Sequence, residues 1–242
     1  MSIDDTEYRW VTDRIEYLKS QLTAIEDQTI NSDIFIHWNT NSDYKYHYPA
    51  QLYRNQHKSA PLYSRFFNSI SFQTPYIFIC DDDIIPGKEY LEKCIAFSKS
   101  KEDKVCIVSY GMIFEEDETE YKVHKRVDHD TFLNKAKLVN MGGQGYFLPT
   151  YLLQNYNQTQ THSTLSGEDI HLGYVCWKNN IPTYVLDKNK NNKETWQDKS
   201  QGERGLDEVA QWRYPTHKPV RDKLIKTYID LGWDFKLDKS II

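Results

Sequence analysis

The sequence lacks a Cys-x-x-Cys pair, a Gly-Lys-Ser/Thr phosphate loop, a surplus of basic residues and a long apolar run, and each absence removes a class of function. Its four cysteines, Cys80, Cys94, Cys106 and Cys176, are far apart in apolar segments. They read as buried thiols of a reducing compartment, not as zinc ligands or a redox pair. The formal net charge is −5, from 30 Lys and Arg against 35 Asp and Glu. Those charges are mixed along the chain, which leaves no basic footprint for a nucleic-acid backbone. No window approaches the roughly eighteen apolar residues of a membrane span, and the opening MSIDDTEYRW has neither the basic start nor the apolar stretch of a signal peptide. The expectation is a soluble, cytoplasmic protein with no transmembrane segment, in which the glycosylation sequon at Asn157 is fortuitous. Gly143 and Gly145 are not followed by a third glycine, position 148 being Leu, so there is no dinucleotide fingerprint. No His-x-Asp pair offers a non-haem iron site.

What is present supports a sizeable core. The 242 residues are 39% hydrophobic and 14% aromatic, with 18 Tyr and 6 Trp, which fits one large domain spanning 1–242. Ile15, Leu18, Leu22 and Ile25 lie on one stripe of an amphipathic helix over 14–27. A strand follows at 34–38, then a polar, Tyr-rich stretch, then a helix around 62–70. The run from Pro75 to Cys80 is apolar at both parities, the pattern of a strand buried on both faces. A helix over 89–99, opened by Pro86 and Gly87, leads to a strand over 105–109 and completes a β-α-β unit. The fold class is therefore α/β: a Rossmann-like domain with a mainly parallel central sheet flanked by helices. Beyond residue 110 the pattern becomes α+β. It holds a hairpin around the acidic loop 115–120, a glycine-rich tight turn at 142–145, a helix from about Glu168, and a C-terminal helix carrying Val220, Leu224, Ile225, Tyr228 and Ile229. Residues 187–205 are almost wholly polar and read as a mobile loop.

The most informative feature is Asp81-Asp82-Asp83. It ends a buried strand, and open α/β sheets bind ligands just beyond the carboxyl ends of their strands. Three adjacent carboxylates repel unless a cation or hydrogen bonds compensate, which points to a hard divalent cation such as Mg²⁺ or Mn²⁺. Such a metal takes one or two protein carboxylates and completes its shell with water and ligand phosphates, which suits a diphosphate leaving group. The bland alternative is a solvated strand-to-helix turn that favours the following helix N-terminus. Similarly, Ser166-Gly-Glu-Asp169 fits either an acidic pair facing a ligand or a capping box with Ser166 as its N-cap.

The stretch from Tyr76 to Gly87, YIFICDDDIIPG, resembles the DxD segment of GT-A glycosyltransferases of the family-2-like and exostosin types. Other pieces stand in the same order. Ile36-His-Trp-Asn39 is similar to the second strand and its Asn, and Ser64-Arg65-Phe66 to the segment before the DxD strand. Val139 to Phe147 resembles the acceptor-side glycine segment, and Gly167-Glu168-Asp169 the helix-opening acidic pair. The likeness covers about 14–186 in motif order, not at high identity.

The resemblance implies a nucleotide-sugar-binding half over 1–110 and an acceptor-binding half over 111–242. It implies transfer from a nucleoside diphosphate sugar, a UDP-sugar by analogy, to a carbohydrate acceptor in glycan synthesis. In that scheme Asp83 holds Mn²⁺ or Mg²⁺, Asp81 contacts the donor ribose or a metal-bound water, and Asp82 is a lesser candidate for either role. Asn39 and Arg65 lie near the nucleotide, His217 is a late metal ligand, and Asp169 is the general base if the reaction inverts. Arg204 and Arg213 could balance the diphosphate. Residues 1–13 offer little for the apolar first strand that this family usually has. Two other functions remain open at this stage. One is a phosphohydrolase with Asp81 as nucleophile, against which position 85 is Ile; the other is a carbohydrate-binding module using the many aromatics. The Asn- and Lys-rich stretch at 188–193 points to an AT-rich genome, compatible with a bacterial or viral source.

Overall fold

A computed structural model describes residues 15–39, 51–55, 62–68, 72–81, 84–116, 119–128, 131–163, 166–189, 191–195, 213 and 215–237; for 15–18, 35–39, 51–55 and 68 it describes the backbone alone. The elements, in chain order, are α1 (Ile15–Glu26), β1 (Phe35–Asn39), β2 (Gln51–Asn55), α2 (Ser64–Asn68), β3 (Tyr76–Cys80), α3 (Tyr90–Ser100), β4 (Cys106–Ile113), β5 (Lys125–Val127), β6 (Lys137–Val139), β7 (Met141–Pro149), α4 (Tyr151–Gln158), α5 (Glu168–Lys178), β8 (Thr183–Val185) and α6 (His217–Asp230). The first strand considered above, over 1–13, lies outside the described residues.

Strands β1 and β2 pair in parallel as a separate two-stranded sheet. Among the described residues the main sheet has six strands, in the order β3-β7-β4-β8-β6 with β5 added to β4. The α/β class holds, but the strand directions differ from the mainly parallel expectation. Among the described residues, β4–β8 is the one parallel pairing of the main sheet, while β3–β7, β4–β7, β4–β5 and β6–β8 are antiparallel. The predicted β3-α3-β4 crossover does form, and β3 and β4 run the same way. Between them, however, the later strand β7 returns in the opposite direction and hydrogen-bonds to both. The hairpin around the acidic loop is also present, as β4 and β5.

Side chains of the central strands alternate between two cores, as period-two geometry requires. Ile77, Ile79, Cys106, Val108, Tyr146 and Leu148 pack with Phe66, Leu152, Tyr156, Leu172 and Val175, under α2, α4 and α5. Ile107 and Phe147 face the other way, against Tyr90, Leu91 and Cys94 of α3. Burial on both faces explains why β3 is apolar at every position. A third cluster joins Ile170 and Tyr174 of α5 to Leu224, Ile225 and Tyr228 of α6 and to Trp233 and Phe235. Cys94, Cys106 and Cys176 are buried and Cys80 half-buried, all as free thiols. The amide of Asn157 is shut away from solvent, so its sequon is not available for modification in the fold.

The glycine-rich segment is strand β7, not a tight turn. Strand β7 lies so close to β4 that a Cβ on Gly142 would stand 2.2 Å from the Tyr110 carbonyl oxygen. Where Val108 pairs with Tyr146 and Tyr110 with Gly143, Gln144 and Gly145 oppose the single residue Ser109, forming a β-bulge. Gln144 takes a left-handed conformation there, with φ 68°.

The polar segment read as a mobile loop is tied to the body where it is described. Lys93 Nζ donates to the Asp187 carbonyl and carboxylate at 2.6 and 2.9 Å. Leu133 and Lys188 exchange backbone hydrogen bonds at 2.9 and 2.8 Å, and Glu89 N donates to Glu194 O at 2.7 Å. Residues 190 and 196–212, including Arg204, lie outside the described residues.

Candidate functional site

The bulge and α1 together fix the end of β3. Asp81 N donates to Gln144 O at 2.7 Å, so the left-handed residue of β7 terminates the ladder at the first aspartate. From the other side Gln21 Nε2 reaches the carbonyl oxygens of Asp81 and Ile84, at 2.5 and 2.7 Å. Ile84 N also donates to Asp81 O at 3.1 Å. The backbone is thus pinned on both sides of Asp82 and Asp83, which themselves lie outside the described residues. Gln21 is 5% exposed, and its apolar-stripe neighbour Leu22 is in the core.

Arg65, on the short helix α2, joins two of the predicted segments. Its Nη1 pairs with Asp81 Oδ1, and its Nη2 donates to Glu168 Oε1 at 3.0 Å. The guanidinium also lies 5.4 and 5.5 Å from the ring centroids of Phe66 and Tyr146. The planar fork lets one arginine bridge two carboxylates that come from distant parts of the chain.

Asp169 has a second arginine to itself. Arg221 of α6 donates from Nη1 to Asp169 Oδ1 at 2.9 Å and from Nη2 to Oδ2 at 2.6 Å. Oδ1 accepts Ile170 N as well, at 2.8 Å. The Arg221 guanidinium lies over the Tyr121 ring at 4.3 Å, and its Nη2 donates to the Tyr121 hydroxyl at 3.1 Å. Arg221 and Asp169 are 4% and 8% exposed, so this is a buried ion pair. Its local setting is not a capping box. Gly167, with φ 95°, is the N-cap of α5 and has no side chain to cap it, and the Ser166 hydroxyl is buried without a partner among the described residues.

Glu168 differs from its neighbour. One oxygen meets Arg65, but Oε2 is buried with no hydrogen-bond partner among the described residues. Burial, then the adjacent Asp169 charge, push its carboxyl up to about 7 despite Arg65 and Arg221. His217 opens α6 one turn before Arg221. Burial, and after it the Arg221 cation, push its imidazole down to about 4, so it is neutral near pH 7.

The structure therefore gathers Asp81, Arg65, Glu168 and Asp169, with His217 near enough to feel Asp169 and Arg221. For Asn39 the structure describes the backbone alone, at the end of β1. Sequence reading missed Arg221 and Tyr121, and named Glu168 only as part of a motif. Arg221 did leave a signal: it falls on the stripe of Leu224, Ile225 and Tyr228, where a cation is out of place unless it is paired.

As to a divalent cation, no group of three or more His, Cys, Asp or Glu side chains that could hold a metal occurs among the described residues. Of the expected ligands, Asp83 lies outside the described residues, and His217 is a neutral imidazole, a nitrogen donor of the kind that Mn²⁺ accepts.

No helix among the described residues is long and apolar enough to cross a membrane. No protein-family model and no curated protein matches this sequence. Among solved structures, the crystal structure of S. aureus TarS superposes with a TM-score of 0.53 at 11% identity, covering 92% of this chain and 42% of that one. The chain thus spans under half the length of TarS and shares with it an α/β fold.

Proposed function

We propose that the chain transfers a sugar from a nucleoside diphosphate donor, a UDP-sugar, to the hydroxyl of a carbohydrate acceptor, with Mn²⁺ or Mg²⁺. The observation that carries this reading is the Arg65 bridge, which brings the aspartate ending a buried strand to the acidic pair opening α5. The fold shared with TarS, a glycosyltransferase, supports it. Asp81, the most exposed carboxylate of the group, faces the donor, and Arg65 orients it. Asp83 would hold the cation, with His217 as a second ligand and Asn39 and Asp82 beside the nucleotide. When bound, the cation neutralises charge on the departing diphosphate. The acidic pair at the start of α5 handles the acceptor proton, Asp169 being the member that the family resemblance singles out. Buried donors and fixed charges at such a site stabilise the transition state because they need no reorganisation.

The test is release of UDP from a panel of UDP-sugars with Mn²⁺. Turnover is expected to vanish with chelator and to fall by about 100-fold or more in Asp83→Ala, the scale of a lost electrostatic contact. Chelator-insensitive turnover, or an Asp83→Ala rate equal to wild type, contradicts the metal assignment.

A further inference from the structure

The two carboxylates opening α5 differ in what already holds them. Asp169 has two donors on Oδ1 and a 2.6 Å bond from Arg221 on Oδ2. A proton arriving at either oxygen would weaken a buried charge-assisted pair and strand the Arg221 cation, which is 4% exposed. Glu168 has one arginine contact, at Oε1, and its Oε2 is buried without a donor. Two residues upstream the Ser166 hydroxyl is likewise buried and unpartnered among the described residues. Buried polar atoms left unsatisfied are uncommon in native folds and mark places where a ligand or water completes the bonding. A carboxylate oxygen and a hydroxyl buried without partners near one helix start suit a ligand that carries hydroxyl groups, as a carbohydrate does.

We propose that Glu168, and not Asp169, takes the proton of the acceptor hydroxyl, while Arg221 holds Asp169 as a fixed anion. The assignment rests on the sugar-transfer reading. In a single displacement the acceptor oxygen forms its bond to the anomeric carbon as its proton passes to Glu168 Oε2. The bond from that carbon to the diphosphate oxygen breaks, and its electron pair leaves with the nucleoside diphosphate. Glu168 later releases the proton to solvent. Asp169 is then a positioning residue, acting through Arg221 and the start of α5.

The surroundings suit Glu168 to that task. It is faced by Asp169 on its own helix, by Arg65 and Tyr63 at α2, by Asp81 after β3, by Tyr146 of β7, by Tyr156 of α4 and by Arg221 of α6. Burial outweighs the two arginines, and the carboxyl ionises around neutrality, where a general base both accepts a proton readily and is available to do so.

The experiment measures UDP release from a panel of UDP-hexoses and UDP-N-acetylhexosamines with Mn²⁺, water serving as acceptor, across pH about 5.5 to 9. Wild-type kcat/KM is expected to rise with pH and level off above about 7. Glu168→Gln should lose about 100-fold or more and show no rise, yet bind UDP within about threefold of wild type by calorimetry. Asp169→Asn should turn over more slowly and keep the rise. A rising limb preserved in Glu168→Gln, or abolished only in Asp169→Asn, overturns the assignment. A wild type that releases no UDP from any of these donors contradicts the sugar-transfer reading, and the inference falls with it.

Discussion

Arg221 and Asp169 form a pair whose charges have almost no access to water, so neither tolerates loss of the other. Arg221→Met would leave the Asp169 carboxylate buried beside Glu168 without its counter-ion. We expect a loss of about 3–5 kcal/mol in denaturant unfolding, the range for breaking one side of a buried ion pair. A loss below about 1 kcal/mol, the value of an exposed pair, contradicts the burial argument. The sequence reading singled out Asp81, Arg65 and Asp169, each from a recognisable segment, and so named both partners of the Arg65–Asp81 pair but only one partner of the Arg221–Asp169 pair. Their pairing was not legible, since Arg65 and Glu168 are 103 positions apart and Arg221 and Asp169 are 52 apart. Only the packing of α2 and α5 on the main sheet, and of α6 against α5, decides which arginine meets which carboxylate.

Among the elements, β7 does the most to build the site. It separates β3 from β4, supplies the bulge that terminates β3 at Asp81, and brings Tyr146 to the Arg65 cation. Its glycines follow from close strand approach. At Gly142 the obstructing atom is a backbone carbonyl, which cannot rotate aside as a side chain can. Gly142→Ala should therefore destabilise the fold by about 3 kcal/mol, at the upper end of typical overpacking. A Gly142→Ala protein with an unchanged denaturation midpoint would show that β4 and β7 do not approach this closely. The sequence suggested a turn here because glycine clusters commonly mark turns. Nothing local to 141–149 shows that both neighbours of this segment are strands made some thirty to seventy residues earlier. The same blindness produced the mainly parallel expectation. The β-α-β unit was read correctly from local periodicity, but an antiparallel strand inserted from later in the chain leaves no mark on that unit.

At the scale of the whole molecule, α4, α5 and α6 meet at a buried imidazole. His171 is fully buried, and its Nε2 lies 3.2 Å from the Tyr156 carbonyl oxygen, to which it must donate. Its Nδ1 is then the acceptor of the Tyr228 hydroxyl, at 2.5 Å. Burial pushes this imidazole down to about 4, against 6.5 for the free group. The folded value is the lower one, so the contribution to stability is complete above 6.5 and is lost as pH falls towards 4. The acid limb of a pH–stability curve should accordingly be shallower in His171→Gln than in wild type; parallel limbs would mean that His171 is not held neutral. Glu168 works in the opposite sense. Its folded value exceeds 4.5, so stability declines as pH rises from about 4.5 to 7, and Glu168→Gln should flatten that decline. The central claim concerns neither limb but the ligand. It is tested most directly by calorimetric titration of the protein with UDP, in Mn²⁺ and again in chelator, with Asp83→Ala alongside. The account predicts saturable binding in Mn²⁺ that is lost in chelator and in the variant. Saccharide binding that ignores both nucleotide and metal would contradict it and mark the chain as a carbohydrate-binding module.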